Sequence, residues 1–250
     1  MLNEKRWTVR RARHVQLLMP LALAFVLPVV SAAVEVGEKA PAEETGTITG
    51  VVKLAGTPPP LEKFLVVGDS PKCGKERWSK DVMLGPNRGL RYAVVSIAGT
   101  SGKPQKPAKM PYIDQVGCEF TPRVMIAPVG SPVFIINTDN FLHSFHTRST
   151  RNPAIDKAQP SVRLVLEEKF DNPEIIEVGC DLHPWMKAWI VVAEHPYYAV
   201  TDVTGAFVLT DVPVGSYQLR VWHETLGKDA KDVIVSSGTE ANVTFELMKK

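Results

Sequence analysis

The sequence is poor in thiols, with three cysteines in 250 residues, and none of them sits in a C-x-x-C-H run, so covalently attached haem is excluded. It has no P-loop and no glycine-rich dinucleotide motif, which removes the nucleotide-binding classes built on those loops. Runs of lysine or arginine are absent beyond the N-terminus, leaving no electrostatic footprint for nucleic acid. No internal repeat or low-complexity segment stands out, and no stretch carries a convincing helical period. What remains is an ordinary globular composition, 44% hydrophobic with nearly balanced charge, long enough for one large or two small domains.

The N-terminus reads as a targeting segment. Arg6, Arg10, Arg11 and Arg13 form a basic region, Val15 to Val30 an apolar one, and Ser31-Ala32-Ala33 supplies small residues for cleavage. Together they predict a secretory signal peptide over 1–33, cut near Ala32/Ala33. An uncleaved anchor is the competing reading, but the apolar run of about 16 residues is short for a spanning helix and holds two prolines. No membrane span is therefore expected in the mature chain. Arg10-Arg11 hints at twin-arginine export, although the surrounding residues fit that pattern poorly. Cleavage would leave 24 basic against 26 acidic residues, so the pI near 8.4 belongs to the precursor. The expected location is periplasmic or secreted, an oxidising compartment in which thiols pair. Three cysteines, Cys73, Cys118 and Cys180, then leave one over.

Residues 34–45 are rich in Pro, Gly and Glu and predict a flexible lead-in. From Gly46 the pattern is strand-like: GTITGVVKLAG, then Leu61–Gly68 and Leu90–Ile97 with a Cys73-Gly74 turn between them. Ser101–Pro111 is a solvated Pro/Lys loop. Further strands are expected at Arg123–Ala127, Pro132–Asn137, Val162–Phe170, Glu174–Val178 and Lys187–Ala193. Short strands follow at Tyr198–Thr201, Ala206–Leu209, Tyr217–Trp222, Asp232–Val235 and Asn242–Leu247. Many short strands at regular spacing predict an all-β sandwich architecture.

One loop is chemically dense. Cys180-Asp181-Leu182-His183-Pro184-Trp185-Met186 is a C-x2-H-x2-M run between two strands, short enough to turn three side chains to one point. Thiolate, imidazole and thioether form a soft, mixed set that selects copper. A trigonal copper site needs a second imidazole from elsewhere. Upstream, PVFIINTDNFLHSFHT places His143 and His146 on a turn after a strand ending at Asn137.

The spacing Asn137-x5-His143 followed by CDLHPWM between strands resembles the cupredoxins, and the seven-residue loop is most similar to the amicyanin- and plastocyanin-like blue copper proteins. The stretch FTPRVMIAPVGSPVFIIN also resembles the cupredoxin strands leading to the first histidine. The resemblance covers about Gly117 to Glu194. It implies a Greek-key β-sandwich with one type 1 copper ion held by His143, Cys180, His183 and Met186. His143 would be the buried imidazole and His183 the exposed edge where a periplasmic redox partner docks. Ser144 stands where that family usually has an asparagine tying the ligand loops. His146 is read as a solvated surface residue. Copper use of Cys180 leaves Cys73 and Cys118 to pair, closing a loop of about 45 residues for roughly 2–4 kcal/mol; the pairing of Cys118 with Cys180 stays open.

A second resemblance lies in TDVTGAFVLTDVPVGSYQLRVWHE, which is similar to the carboxypeptidase regulatory-like (transthyretin-like) sandwich; GTITGVVKLAG resembles its first strand. The expected organisation is a signal peptide (1–33), the lead-in (34–45), early strands of the regulatory-like sandwich (46–115), a copper module (116–196) and late strands of that sandwich (197–250). The sandwich is thus either discontinuous, with the copper module inserted, or the two domains are consecutive. Trp222-His223-Glu224 finds no matching nucleophile or second carboxylate and is read as packing, as are Trp185 and Trp189. The expected function is single-electron transfer between periplasmic proteins, with no catalytic residue. Two alternatives stand beside it. One is copper storage or delivery, against which the lack of a Met-rich tract weighs. The other is a structural or carbohydrate-binding module with a vestigial site.

Overall fold

The computed structural model describes residues 44–249, apart from 101–106, 108 and 161–164. The expected signal peptide, nearly all of the expected lead-in, much of the Ser101–Pro111 loop and the first part of the expected Val162–Phe170 strand lie outside the described residues. The early strands are β1 (Thr45–Leu54), β2 (Lys63–Leu65), β3 (Glu76–Trp78), β4 (Val94–Ile97), β5 (Tyr112–Gln115) and β6 (Phe120–Thr121). The central ones are β7 (Val124–Pro128), β8 (Pro132–Asn137), β9 (His143–Arg148), β10 (Asp156–Gln159), β11 (Leu166–Lys169), β12 (Glu174–Gly179) and β13 (Lys187–Ala193). The last are β14 (Tyr198–Val200), β15 (Ala206–Pro213), β16 (Gly215–His223), β17 (Gly227–Val235) and β18 (Glu240–Leu247). Among the described residues the helices are one four-residue turn, α1 (Ser70–Cys73), and a 3-10 turn at Pro86–Arg88. The chain is all-β.

Two sandwiches result, each from two sheets around its own core. In the first, β1 alternates buried and half-buried residues along its whole length, the period of a strand with one face on a core. It lies between β15, antiparallel, and β18, parallel. The facing sheet runs β14-β4-β16-β17. Ile48, Val52, Ile97, Leu219, Val221 and Phe245 fill the space between them. Gly50 permits this fit, because a Cβ there would stand 1.9 Å from the Val243 carbonyl oxygen and 2.6 Å from the Phe207 ring.

The second sandwich pairs the sheet β10-β9-β12-β13-β7 with β11-β8-β5-β6. Ile113, Val133, Ile135, Phe145, Ile176 and Ile190 form its core. Val66 and Cys73 also join this core, so segments upstream of the boundary expected at residue 116 contribute to it. Cys73 and Cys118 are joined by a disulfide. A smaller apolar cluster around Val94, Val124 and Val191 holds the two sandwiches together. There Trp222 meets Trp189 edge to face at 4.9 Å, and Glu224 pairs with the buried Arg123 at 2.7 Å.

Several local expectations change. The Cys73-Gly74 turn is the end of α1, which follows Asp69 and has Pro71 in its first turn, where the missing N–H is harmless. The Leu90–Ile97 strand begins only at Val94, because Tyr92 has a φ of +69° that no strand accommodates. His143 and His146 sit on strand β9 rather than on a turn. Strand β10, which pairs with it, was not legible: Asp-Lys-Ala-Gln shows no β-branched residue and no alternation.

Candidate metal centre

β8 ends at Asn137, whose buried amide donates to the carbonyls of Phe141 (2.9 Å) and Gln159 (2.8 Å). This frames the 138–142 turn and delivers His143 as the first residue of β9. β12 and β13 pair in register from Glu174–Val192 to Gly179–Lys187, so the residues between them form a closed loop. Backbone bonds within the loop tighten it: His183 N–H to the Cys180 carbonyl, Met186 N–H to the His183 carbonyl, and Cys180 N–H to the Met186 carbonyl. The neighbouring pairing of β12 with β9 brings His143 beside this loop.

The result is one buried cluster of His143, Cys180 and His183. The two Nδ1 atoms are 3.0 Å apart, and Cys180 Sγ lies 3.6 Å from that of His183 and 4.0 Å from that of His143. Met186 closes the loop, 2% exposed and part of the same core. Cys180 is the unpaired thiol.

The outward ring atoms are also held. His143 Nε2 lies 3.0 Å from Asp139, whose carboxylate accepts the N–H groups of Gly117 and Cys118 at 2.8 Å each. His183 Nε2 lies 3.2 Å from Asp69, at the start of α1. Carboxylates at both Nε2 edges favour the Nε2–H tautomer, which leaves both Nδ1 lone pairs facing each other and the sulfur. Such a set of donors repels itself unless a proton or a cation lies among them. Bonds of about 2.0–2.3 Å from a metal to nitrogen and sulfur would separate trigonal donors by roughly 3.5–3.8 Å. The observed spacings come within about half an ångström of that, so the residues fit a metal ion.

The electrostatics agree. Burial opposes a charged Cys180, but when the proton among these donors sits on an imidazole Nδ1, hydrogen bonds from His143 and His183, with those from the Ser144 and Leu182 backbones, bring its pKa down to about 5. It is thus held as the thiolate, the form that binds metals. Burial likewise works against a charged His183, yet the thiolate and Asp69 carry its pKa upward.

The structure corrects one expected role. His183 is 2% exposed, not an open edge. Asp69 caps its Nε2, and the rings of Trp185 (5.1 Å, tilted) and Phe141 (6.1 Å, edge-on) pack against it. The physical reason is the 64–73 segment, pinned over the site where Cys73 is bonded to Cys118. Ser144, by contrast, does tie the two ligand segments: its N–H points to Cys180 Sγ at 3.3 Å, and its hydroxyl accepts the Asp181 N–H at 2.8 Å. His146 is half-buried, on the opposite face of β9 from His143, because an odd separation on a strand reverses the side chain. It pairs with Asp181 at 3.0 Å. Asp139 could have been suspected from its place in the turn before His143; nothing in the sequence points from Asp69 to a histidine 114 residues away.

No family model matches the chain, and no curated protein does. Solved structures do. A purple cupredoxin from Nitrosopumilus maritimus is 18% identical over 33% of this chain and 99% of its own, with a TM-score of 0.29. A mutant of amicyanin in the Cu(I) state is 16% identical over 40% of this chain and 98% of its own, with a TM-score of 0.31. The copper-containing nitrite reductase of Thermus scotoductus SA-01 is 25% identical over 39% of this chain but only 25% of its own, with a TM-score of 0.30.

Proposed function

We propose that this chain is an exported type 1 (blue) copper protein of the cupredoxin class, holding one copper ion through His143, Cys180, His183 and Met186. In this reading it carries single electrons between periplasmic redox partners, and no residue is assigned a catalytic role. The observation that carries it is the convergence of two imidazole Nδ1 atoms and a buried thiolate, with both Nε2 edges turned to carboxylates. Copper would supply the one-electron couple; the thiolate and imidazoles suit it, and a thioether favours its reduced form.

The chain's own residues then do the rest. Ser144 N–H steadies the thiolate, and Asp139 and Asp69 fix the planes of the two imidazoles. Phe141 and Trp185 keep water from the rings. Donors fixed in this way need not rearrange when charge changes, which keeps reorganisation small. With the His183 edge covered, the partner's contact falls on the apolar shoulders beside the two histidines, Leu142 (43% exposed) and Leu182 (50% exposed).

Mixing the purified protein with Cu(II) tests this. The expected result is an intense blue thiolate-to-copper band, lost in Cys180→Ser. Colourless, tight binding of Cu(I) would favour storage or delivery, and no binding at all would leave a scaffold role.

A further inference from the structure

A second group of donors lies on the solvent side of β9. His146 projects from the face opposite His143, and Asp156 of β10 is its direct partner in the antiparallel register. Asp181, next to Cys180, reaches the same point: its Oδ1 is 3.0 Å from His146 Nδ1. One donor atom from each of the three lies within 4.8 Å of the others. Asp181 is not a loose surface carboxylate, because its other oxygen accepts the Ser144 hydroxyl at 3.2 Å and its N–H donates back to that hydroxyl. His146 and Asp181 stand on the wall of a cavity of about 370 Å³ that also touches Cys180 and Met186. Arg148 and Lys187 also line this cavity; Arg148 pairs with Glu177 at 3.6 Å and adds a favourable charge beside Asp181.

We propose that His146, Asp156 and Asp181 form a second metal site, facing solvent, for a divalent transition-metal ion. One imidazole and two carboxylates, without sulfur, suit Zn2+, Ni2+, Cu2+ or Mn2+ and disfavour Cu(I). Bonds of about 2.0–2.2 Å place adjacent donors of an octahedral ion about 3 Å apart, which His146 and Asp181 already satisfy. Asp156 is exposed and free to rotate inward to complete the set. Three protein ligands leave positions for water, so the ion exchanges readily. The site stands at a cavity leading to the buried cluster, yet its existence does not depend on what that cluster binds.

Zn2+ is the probe. It is titrated calorimetrically into the full chain carrying Cys180→Ser, which removes the buried thiol, and into the same protein with His146→Ala or Asp156→Asn added. Both added substitutions replace partly or fully exposed side chains, and circular dichroism checks that the fold is kept. The expected result is that each weakens one Zn2+ equivalent at least tenfold. Nitrogen-15 spectra of the imidazoles should show the His146 ring responding to that equivalent. An isotherm unchanged by both substitutions overturns the proposal. A loss with His146→Ala alone, or a response of the His143 and His183 rings without His146, overturns it as well.

Discussion

At the scale of single residues, the two imidazoles of the buried cluster are defined as much by what lies behind them as by the sulfur in front. Asp139 and Asp69 each take one Nε2 edge, and partners of this kind set ring orientation and donor strength. Asp69 is partly exposed and supports no core packing, so Asp69→Asn should leave the fold intact. Metal affinity is expected to fall about 10–100-fold, read by competition with a chelator; unchanged affinity would mean that the carboxylate only covers the ring. Here the sequence was a partial guide. Residue types and the C-x2-H-x2-M spacing singled out Cys180 and His183, and the need for a second imidazole pointed to His143, which the fold places beside them; Met186 lies buried in the same core. Ser144 stood out as a replacement whose hydroxyl could still form a bond, and its hydroxyl and N–H do bridge β9 to the Cys180 loop.

At the scale of elements, the 149–152 turn between β9 and β10 is organised by one carboxylate. Glu174, the first residue of β12, accepts from Ser149 Oγ (2.6 Å), Thr150 N–H (2.6 Å), Thr150 Oγ1 (2.8 Å) and Asn152 Nδ2 (3.0 Å). Burial pushes its pKa up, but these donors outweigh it and hold the group at about 2. A glutamate in the unfolded chain titrates near ~4.3, so the bonds stabilise fully above that pH and are lost as pH falls through about 2. Glu174→Gln should cost about 1–2 kcal/mol at pH 7, with solvent exposure limiting the loss. The difference from the natural chain should shrink steadily between pH 4.5 and 2, followed by urea unfolding; a gap independent of pH would show that the charge is not what anchors the turn. Strands with alternation or a dense apolar, β-branched run, β8 and β13, were legible to the residue. Those made by polar, unpatterned segments, β5 and β10, were not, since a strand pinned by its neighbours needs no propensity of its own.

At the scale of the whole molecule, one covalent bond links several of these features. Cys73 closes the helix that Asp69 begins, and the Cys118 N–H holds Asp139, while the Cys118 carbonyl accepts Trp185 Nε1 at 3.0 Å. The disulfide therefore ties both outer carboxylates and the ring over His183 to one point. Replacing Cys73 and Cys118 together by serine should lower the unfolding free energy by about 2–4 kcal/mol in urea titrations. It should also weaken metal binding in the remaining folded protein; a loss of stability with no change in metal affinity would separate the disulfide from the site.

Local chemistry was enough to name the all-β class and to single out Cys180, His183 and the distant His143, which the fold brings into one cluster, because side-chain alternation and donor type are written along a few consecutive residues. Which of the two expected placements β1 takes, and its register with β15 and β18 more than 150 positions later, depended on the folded chain. So did the burial of His183 beneath Asp69 and the meeting of His146 with Asp156 and Asp181. Each of these joins residues whose separation along the chain carries no signal; strand pairing within a sheet sets β1 between β15 and β18 and β9 between β10 and β12, and the disulfide pins the segment that covers His183.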